Sequence, residues 1–387
     1  MTATGPLHGL RIVEQVAFIA APSATMTLAQ LGAQVIRLDP PGGGLDQRRW
    51  PLAPSGTSLY WSMLNRGKAS VTLDLRAPGG DEQAAALICD GGAEGGIFVT
   101  NLPLRGALTY DALRDRRPDV IVVALDGSPD GQSAVDYTVH AACGAAMMTG
   151  PAGLTEPVSN AVPFWDIICG QTLALGLVAA ERHRRATGAG QLVQLSLSDV
   201  AMAWMANIGA LAEAELTGTP RARQGTAVYG SFGRAFPTAC GRQVMIVAVT
   251  TRQWRGLLAA TGLEAPMDHI ASAFDADLDR EEDRWRARDA IAALLQGWTA
   301  ARPLEAVAAA FDGTAVCWSP FRDTAQALAE DWRVSDANPL FHRRAHPGIP
   351  PVLTAGCPLR LSATPAGPPA AAPVPGADTD RLLGSRP

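Results

Sequence analysis

The chain has 387 residues, 47 % of them apolar, and a formal net charge of −5; a chain of this length buries a large core and is expected to form two domains. The acidic balance and the lack of any basic block exclude nucleic acid as a partner, and no apolar run is long enough to suggest a membrane span. The first residues, M-T-A-T-G-P-L-H-G-L, carry neither the basic nor the apolar region of a signal peptide, so a cytoplasmic location is expected.

In chain order, Leu10 to Glu14 reads as a strand and Pro22 to Leu31 as a helix opened by proline and stopped at Gly32. Gln34 to Leu38 is the next strand, giving a β-α-β unit. The turn inside it, Q-V-A-F-I-A-A-P-S, has no glycine, so the dinucleotide fingerprint is absent. Pro40-Pro41-Gly42-Gly43-Gly44 must turn tightly, and Arg48, Arg49 and Trp50 follow it. They form either a solvated loop or a basic rim for phosphates. Lys68 is the only lysine among 32 basic residues; it is either an ordinary surface lysine or a point charge kept near a phosphate. Strands at Ser70–Leu75, Gly96–Thr100 and Val120–Ala124 alternate with helices at Gly80–Cys89 and Tyr110–Arg114. That alternation predicts a parallel sheet covered on both faces, with ligands beyond the carboxyl ends of its strands. Asn101 and Arg105 lie at one such end, and Asp136 and Tyr137 follow the next strand.

The stretch Pro163 to Asp199 is the most informative. Asp166 opens a long apolar helix that ends in Arg182-His183-Arg184-Arg185 and breaks at Thr187-Gly188-Ala189-Gly190, before a strand over Gln191–Leu197. Asp166 is either a helix cap or an ionised carboxylate available as a nucleophile. Gly170, one turn on, leaves room for an approaching group, and Trp165 could shield a reactive intermediate from water. A helix over Asp199–Leu216 follows. Then a hairpin turns near Cys240-Gly241, and helices cover Arg252–Thr261, Arg284–Trp298 and Leu304–Phe311, a smaller α+β unit. The tail from Thr364 to Pro375 is rich in proline and alanine and reads as extended. Six cysteines without a C-x-x-C pair point to reduced thiols and give no metal site.

The order of these pieces resembles the class III CoA-transferases over nearly the whole chain. The resemblance rests on Gly9-Leu10-Arg11-Ile12-Val13-Glu14, Leu28-Ala29-Gln30-Leu31-Gly32-Ala33, Val35-Ile36-Arg37, Asn65-Arg66-Gly67-Lys68, and Asp166 with Gly170 and Thr187-Gly188-Ala189-Gly190-Gln191. It implies a Rossmann-like large domain (1–200), a connecting helix (201–226), a small α+β domain (227–324) and a return of the tail (325–387) to the large domain. It also implies two ring-shaped chains interlocked as a homodimer. Asp166 would attack an acyl-CoA thioester and carry CoA as an aspartyl thioester. CoA would enter as part of the substrate, with no permanently bound cofactor. Ile19, Ala20, Arg37, Lys68, Leu73, Asn101, Arg105 and Asp136 would contact the CoA portion. Ile19 replaces the glutamine many members carry, so an oxyanion donor would have to come from the backbone, with the Ala20 N–H a candidate. Gly376-Ala377-Asp378-Thr379 replaces the usual Gly-x-His-Thr. Racemase members use a His/Asp pair, but Val135 stands where the histidine belongs, and His140 reads as a core histidine. F-I-A-A-P, G-G-G-L-D-Q-R-R-W-P, V-D-Y-T-V and Y-G-S-F-G-R-A-F resemble members that move CoA between the two carboxyls of one methyl-branched unsaturated diacid. Arg48, Arg105, Tyr137 and Arg234 are then candidates to hold that diacid. Transfer between separate acids, racemisation and non-catalytic CoA binding remain the alternatives.

Overall fold

The computed structural model describes residues 5–384 and divides into two compact units. The first takes the chain up to Gly144, Ser159–Ala212, and the chain from Asp331 onward. The second takes Ala145–Val158 and Glu213–Glu330.

The first unit is built on a six-stranded, wholly parallel sheet: β1 (Arg11–Gln15), β2 (Gln34–Asp39), β3 (Ala69–Thr72), β4 (Ile97–Thr100), β5 (Ile121–Asp126) and β6 (Gln191–Ser196). Their order is β3-β2-β1-β4-β5-β6. The central strands are apolar on both faces because helices cover both: Val13, Ile36, Phe98 and Val122 are buried with Leu87, Ile88 and Leu113. The helices are α1 (Ala20–Gln30), α2 (Leu59–Leu64), α3 (Gly80–Cys89), α4 (Tyr110–Arg116), α5 (Asp136–Ala142), α6 (Ala145–Met148, in the second unit), α7 (Phe164–Thr187), α8 (Leu197–Asn207) and α9 (Ala210–Thr217, which crosses from the first unit into the second after Ala212). Gly188 ends α7 in the left-handed conformation, at φ 76°. The strand order reverses between β1 and β4, so the crevice of the sheet opens beyond their carboxyl ends.

The single helix expected over Asp199–Leu216 is two helices, because Gly209 takes φ +77° between them. Helix α7 is long and apolar enough, by length and composition, to cross a membrane, contrary to the sequence reading. Cys169-Gly170-Gln171-Thr172 interrupts the apolar run without interrupting the helix. Its buried stripe, including Cys169, Leu173 and Leu177, packs inside the first unit.

The chain after Asp331 belongs to this unit, with a hairpin at Phe341–His346 and Ile349–Ala355. Asp378 accepts the Ser70 N–H at 3.0 Å and Thr379 accepts the Thr72 N–H at 2.9 Å. The residues that replace the usual Gly-x-His-Thr thus satisfy the open edge of β3.

The second unit holds a three-stranded antiparallel sheet, β7 (Gly233–Pro237), β8 (Gln243–Val247) and β9 (Cys317–Pro320), of which β9 has no forecast in the sequence. Helices lie over Thr251–Thr261, Glu264–Phe274, Glu281–Arg286, Arg288–Ala300 and Leu304–Phe311. Phe232, Ile246, Trp254, Ile291 and Phe311 are buried between them. The connecting segment 201–226 is divided between the two units, and Ala145–Val158 joins the second. Arg223 explains the latter: its guanidinium donates to the carbonyls of Met147 (2.8 Å), Leu154 (2.6 Å) and Glu156 (2.6 Å).

Candidate active site

A helix between parallel strands runs against them, so its N-terminus lies at their carboxyl ends. That places the start of α7, the β1–α1 turn and Asn101 around one crevice. Asn101 clamps the turn: its Oδ1 accepts the Ala17 N–H at 2.9 Å and its Nδ2 donates to the Ala17 carbonyl at 2.8 Å. Phe18 takes φ +68°, a strained conformation for an aromatic residue, and donates its N–H to Asp46 at 3.2 Å. Ile19 precedes the first turn of α1 and Ala20 opens it. The Ala20 amide therefore has no partner inside the helix.

Asp166 is not the cap of α7. The capping position is Pro163, which offers no side-chain acceptor, and Asp166 is the third helical residue. Its own N–H is satisfied by Asp136 Oδ2 at 3.0 Å. Asp136, expected to touch CoA, is buried and serves as the missing cap; its Oδ1 has no partner among the described residues. The Asp166 carboxylate is left without a hydrogen bond among the described residues. Burial first, and the Asp136 charge second, push its pKa up to about 6, and Arg49 opposes the shift. A helix N-terminus favours a carboxylate by roughly 0.3–1 kcal/mol, less than one pKa unit, so burial wins. About nine tenths of the group is still ionised at pH 7, and its raised basicity makes it the better nucleophile. The kcat/KM for CoA transfer should fall with an acid limb centred near pH 6, because a protonated Asp166 cannot attack. A pH–rate profile flat from pH 5 to 8 would refute this.

The room at Gly170 is used by the protein itself. A Cβ there would lie 2.6 Å from the Ala20 carbonyl oxygen and closer still to Ser23 Oγ, so α7 rests directly on the first turn of α1. Gly170→Ala should cost about 1–3 kcal/mol by overpacking and lower activity by moving Asp166 relative to that turn. Denaturant midpoints and rates of the variant check both effects.

Trp165 is buried and donates its indole N–H to His140 Nδ1 at 3.2 Å. Asn160 meets the same nitrogen at 3.4 Å. His140 is thus a core histidine that holds Trp165 against the start of α7. Cys169 is buried, and burial with the Asp166 charge pushes its thiol up to about 12, so it stays protonated.

Two other carried-over residues, Arg37 and Lys68, fall into a buried charge cluster. Arg37 is fully buried and pairs with Asp39 (3.0 Å), Asp46 (3.1 Å) and Glu14 (3.7 Å), with Asn65 Oδ1 at 3.1 Å. Lys68 is not a surface lysine but is buried. Its three donors go to Glu14 (2.8 Å), Asn65 (2.9 Å) and the Pro22 carbonyl (3.0 Å). Burial pushes its pKa down to about 8 despite the Glu14 charge. Leu73 is a core residue whose N–H donates to the Asp39 carbonyl. Arg234 lies in the second unit and pairs with Asp289 at 3.2 Å. Arg48 and Arg105 are exposed and Tyr137 half exposed, and none makes a side-chain hydrogen bond or ion pair among the described residues.

Sequence reasoning missed Tyr60. It lies on α2, six residues too short to carry a periodic signal, and its hydroxyl is buried without a hydrogen-bond partner. Burial raises its pKa well above the ordinary value, with Asp166, Asp46 and Tyr137 adding to the shift and Arg49 opposing it. The charges of Asp166 and Arg49 thus both reach the Tyr60 hydroxyl. Among the described residues no cluster of three or more His, Cys, Asp or Glu could hold a metal ion.

This crevice, with its unpartnered carboxylate, lies within a chain whose residues 7–379 match the model of CoA-transferase family III. The chain belongs to that family. A 2-methylfumaryl-CoA isomerase of Chloroflexus aurantiacus is 48 % identical to it over 98 % of this chain and 93 % of that protein. A succinate–glutarate CoA-transferase of Agrobacterium fabrum is 28 % identical over 92 % of this chain and 91 % of its own length. In fold, a CAIB/BAIF family protein from Brucella suis covers 98 % of both chains with a TM-score of 0.79 at 24 % identity.

Proposed function

We propose that the protein is an intramolecular CoA-transferase that interconverts the two thioesters of mesaconyl-CoA (2-methylfumaryl-CoA), with Asp166 as nucleophile. The observation that carries the chemistry is the Asp166 carboxylate, half-buried, unpartnered and held at the start of α7 by Asp136. The 48 % identity to the isomerase supports the substrate.

The Asp166 carboxylate adds to the thioester carbonyl, the C–S bond breaks, and a mixed anhydride forms with release of the CoA thiolate. The thiolate adds to the aspartyl carbonyl, the anhydride C–O bond breaks, and the diacid is freed as a dianion that stays in the site. The other carboxylate of the same diacid then attacks the aspartyl-CoA thioester, and the two steps run in reverse order. No proton or electron is gained or lost. CoA is part of the substrate, and the scheme calls for no resident cofactor. Each tetrahedral oxyanion needs donors in place, and the Ala20 N–H at the open end of α1 is one candidate. The exposed Arg105 and Arg48 are candidates for the CoA phosphates.

The working form in this reading is a homodimer of interlocked chains. Helix α7 leaves Ile167, Leu175 and Val178 exposed along one face, and α8 leaves Trp204 exposed, an apolar surface that a second copy would cover. A cytoplasmic setting agrees with six unpaired cysteines.

The test is incubation with one purified mesaconyl-CoA isomer and no free acid. Appearance of the other isomer supports the reading. Activity that starts only when a separate carboxylic acid is added would make the protein an ordinary intermolecular transferase.

A further inference from the structure

An intramolecular transfer has a requirement that a single nucleophile does not meet. While CoA waits on Asp166, the free diacid must stay in the site and present its second carboxylate. A cation that is not already neutralised by the protein has to hold the carboxylate that is not reacting. Arg37 and Lys68 are spent on Glu14, Asp39 and Asp46, and Arg234 on Asp289.

Arg49 meets the requirement. Its guanidinium carbon lies 5.2 Å from the centre of the Phe18 ring and 5.2 Å from that of Tyr60. The group makes no hydrogen bond or ion pair among the described residues, and the side chain is exposed. Ring faces hold a guanidinium in place without consuming its N–H donors. Both rings are themselves fixed. The Phe18 amide is tied to Asp46, which Arg37 anchors in the core. Ser58 caps the helix that carries Tyr60 and donates to the Arg49 carbonyl at 2.5 Å. Arg49 is close enough to the nucleophile that its charge opposes the rise in the Asp166 pKa. The Tyr60 hydroxyl, buried and unpartnered, adds a donor next to it.

We propose that Arg49, held between the rings of Phe18 and Tyr60 and left with free donors, pairs with the unreacted carboxylate of the diacid, with the Tyr60 hydroxyl as the neighbouring donor. This deepens the reading of the protein as an intramolecular transferase and rests on it. The Arg fork takes a carboxylate through two parallel N–H bonds, so it fixes which end of the diacid points away from Asp166. It also favours a substrate with a second carboxylate over one without.

The experiment compares wild type with Arg49→Ala, Arg49→Lys and Tyr60→Phe. It measures kcat/KM for mesaconyl-CoA isomerisation and, by calorimetry, the affinities for free mesaconate and for free CoA. Arg49→Ala should lower kcat/KM and mesaconate affinity by about 30-fold or more, as expected for a lost charge-assisted pair, with added guanidinium ion restoring part of the rate. Arg49→Lys should fall between, and Tyr60→Phe should lose about tenfold or less. CoA affinity should stay within about threefold, which also reports that the variants are folded. Mesaconate affinity within threefold of wild type in Arg49→Ala would overturn the proposal. So would a loss of CoA affinity as large as the loss for mesaconate, which would assign Arg49 to the CoA phosphates. Wild type that binds mesaconate through Arg49 but does not interconvert the isomers would leave the carboxylate contact standing and refute the intramolecular reading.

Discussion

Asp166→Ala should abolish CoA transfer, with a loss of at least about 10⁴-fold in kcat, the scale seen when a covalent nucleophile is removed. A methyl group cannot form the anhydride or carry CoA. The buried neighbours offer no substitute: Asp136 is held by the Asp166 amide, and the Cys169 thiol stays protonated. The variant should nevertheless fold, because Asp136 and not Asp166 caps α7. It should even gain stability above pH 6. The native pKa of about 6 lies above the ordinary value of 3.8. Between those two values the native state holds more protons than the unfolded one, so the carboxylate weakens the fold as pH rises through the window. Removing it should return about 1–2 kcal/mol at pH 8 and nothing at pH 4, after discounting for partial exposure. Chromatography of the CoA isomers, intact mass after trapping, and unfolding at both pH values check the three parts. An Asp166→Ala enzyme within tenfold of wild type would remove Asp166 from the mechanism.

Arg37→Met should cost about 3–5 kcal/mol of stability, the expected result of stripping one partner from a buried ion cluster. Glu14, Asp39 and Asp46 are all buried and would face one another without the guanidinium between them. Activity should fall as well, because Asp46 would release the Phe18 amide and with it the β1–α1 turn. A residue that only gripped CoA phosphates would leave the unfolding free energy unchanged and raise KM alone. Denaturant unfolding without ligand separates the two cases. Stability within about 1 kcal/mol of wild type would return Arg37 to the CoA site.

The sheet strands and most helices of the first unit were legible in the sequence. Parallel strands buried on both faces are short apolar runs, and Gly32 and Gly188 mark the ends of α1 and α7 with little ambiguity. The small helix α2 and strand β9 were not, because six and four residues carry no period to detect. The segment 145–158 reads as part of the large domain until Arg223, some 70 residues away in sequence, collects its carbonyls.

At the site the same division holds. The family pattern, the place of Asp166 at the start of a long helix, and the departures at Ile19, Val135 and Gly376-Ala377-Asp378-Thr379 can all be read along the chain. Those are matters of residue type and spacing along one chain. Packing in three dimensions is what lets Asp136 free Asp166 from capping, neutralises Arg37 and Lys68 inside the core, and leaves Arg49 its donors. A charged side chain reads the same in sequence whether it is paired or free. Its charge is spent or available according to partners brought in from other strands and helices, and the burial that shifts the Asp166 pKa to about 6 exists only once those elements have packed.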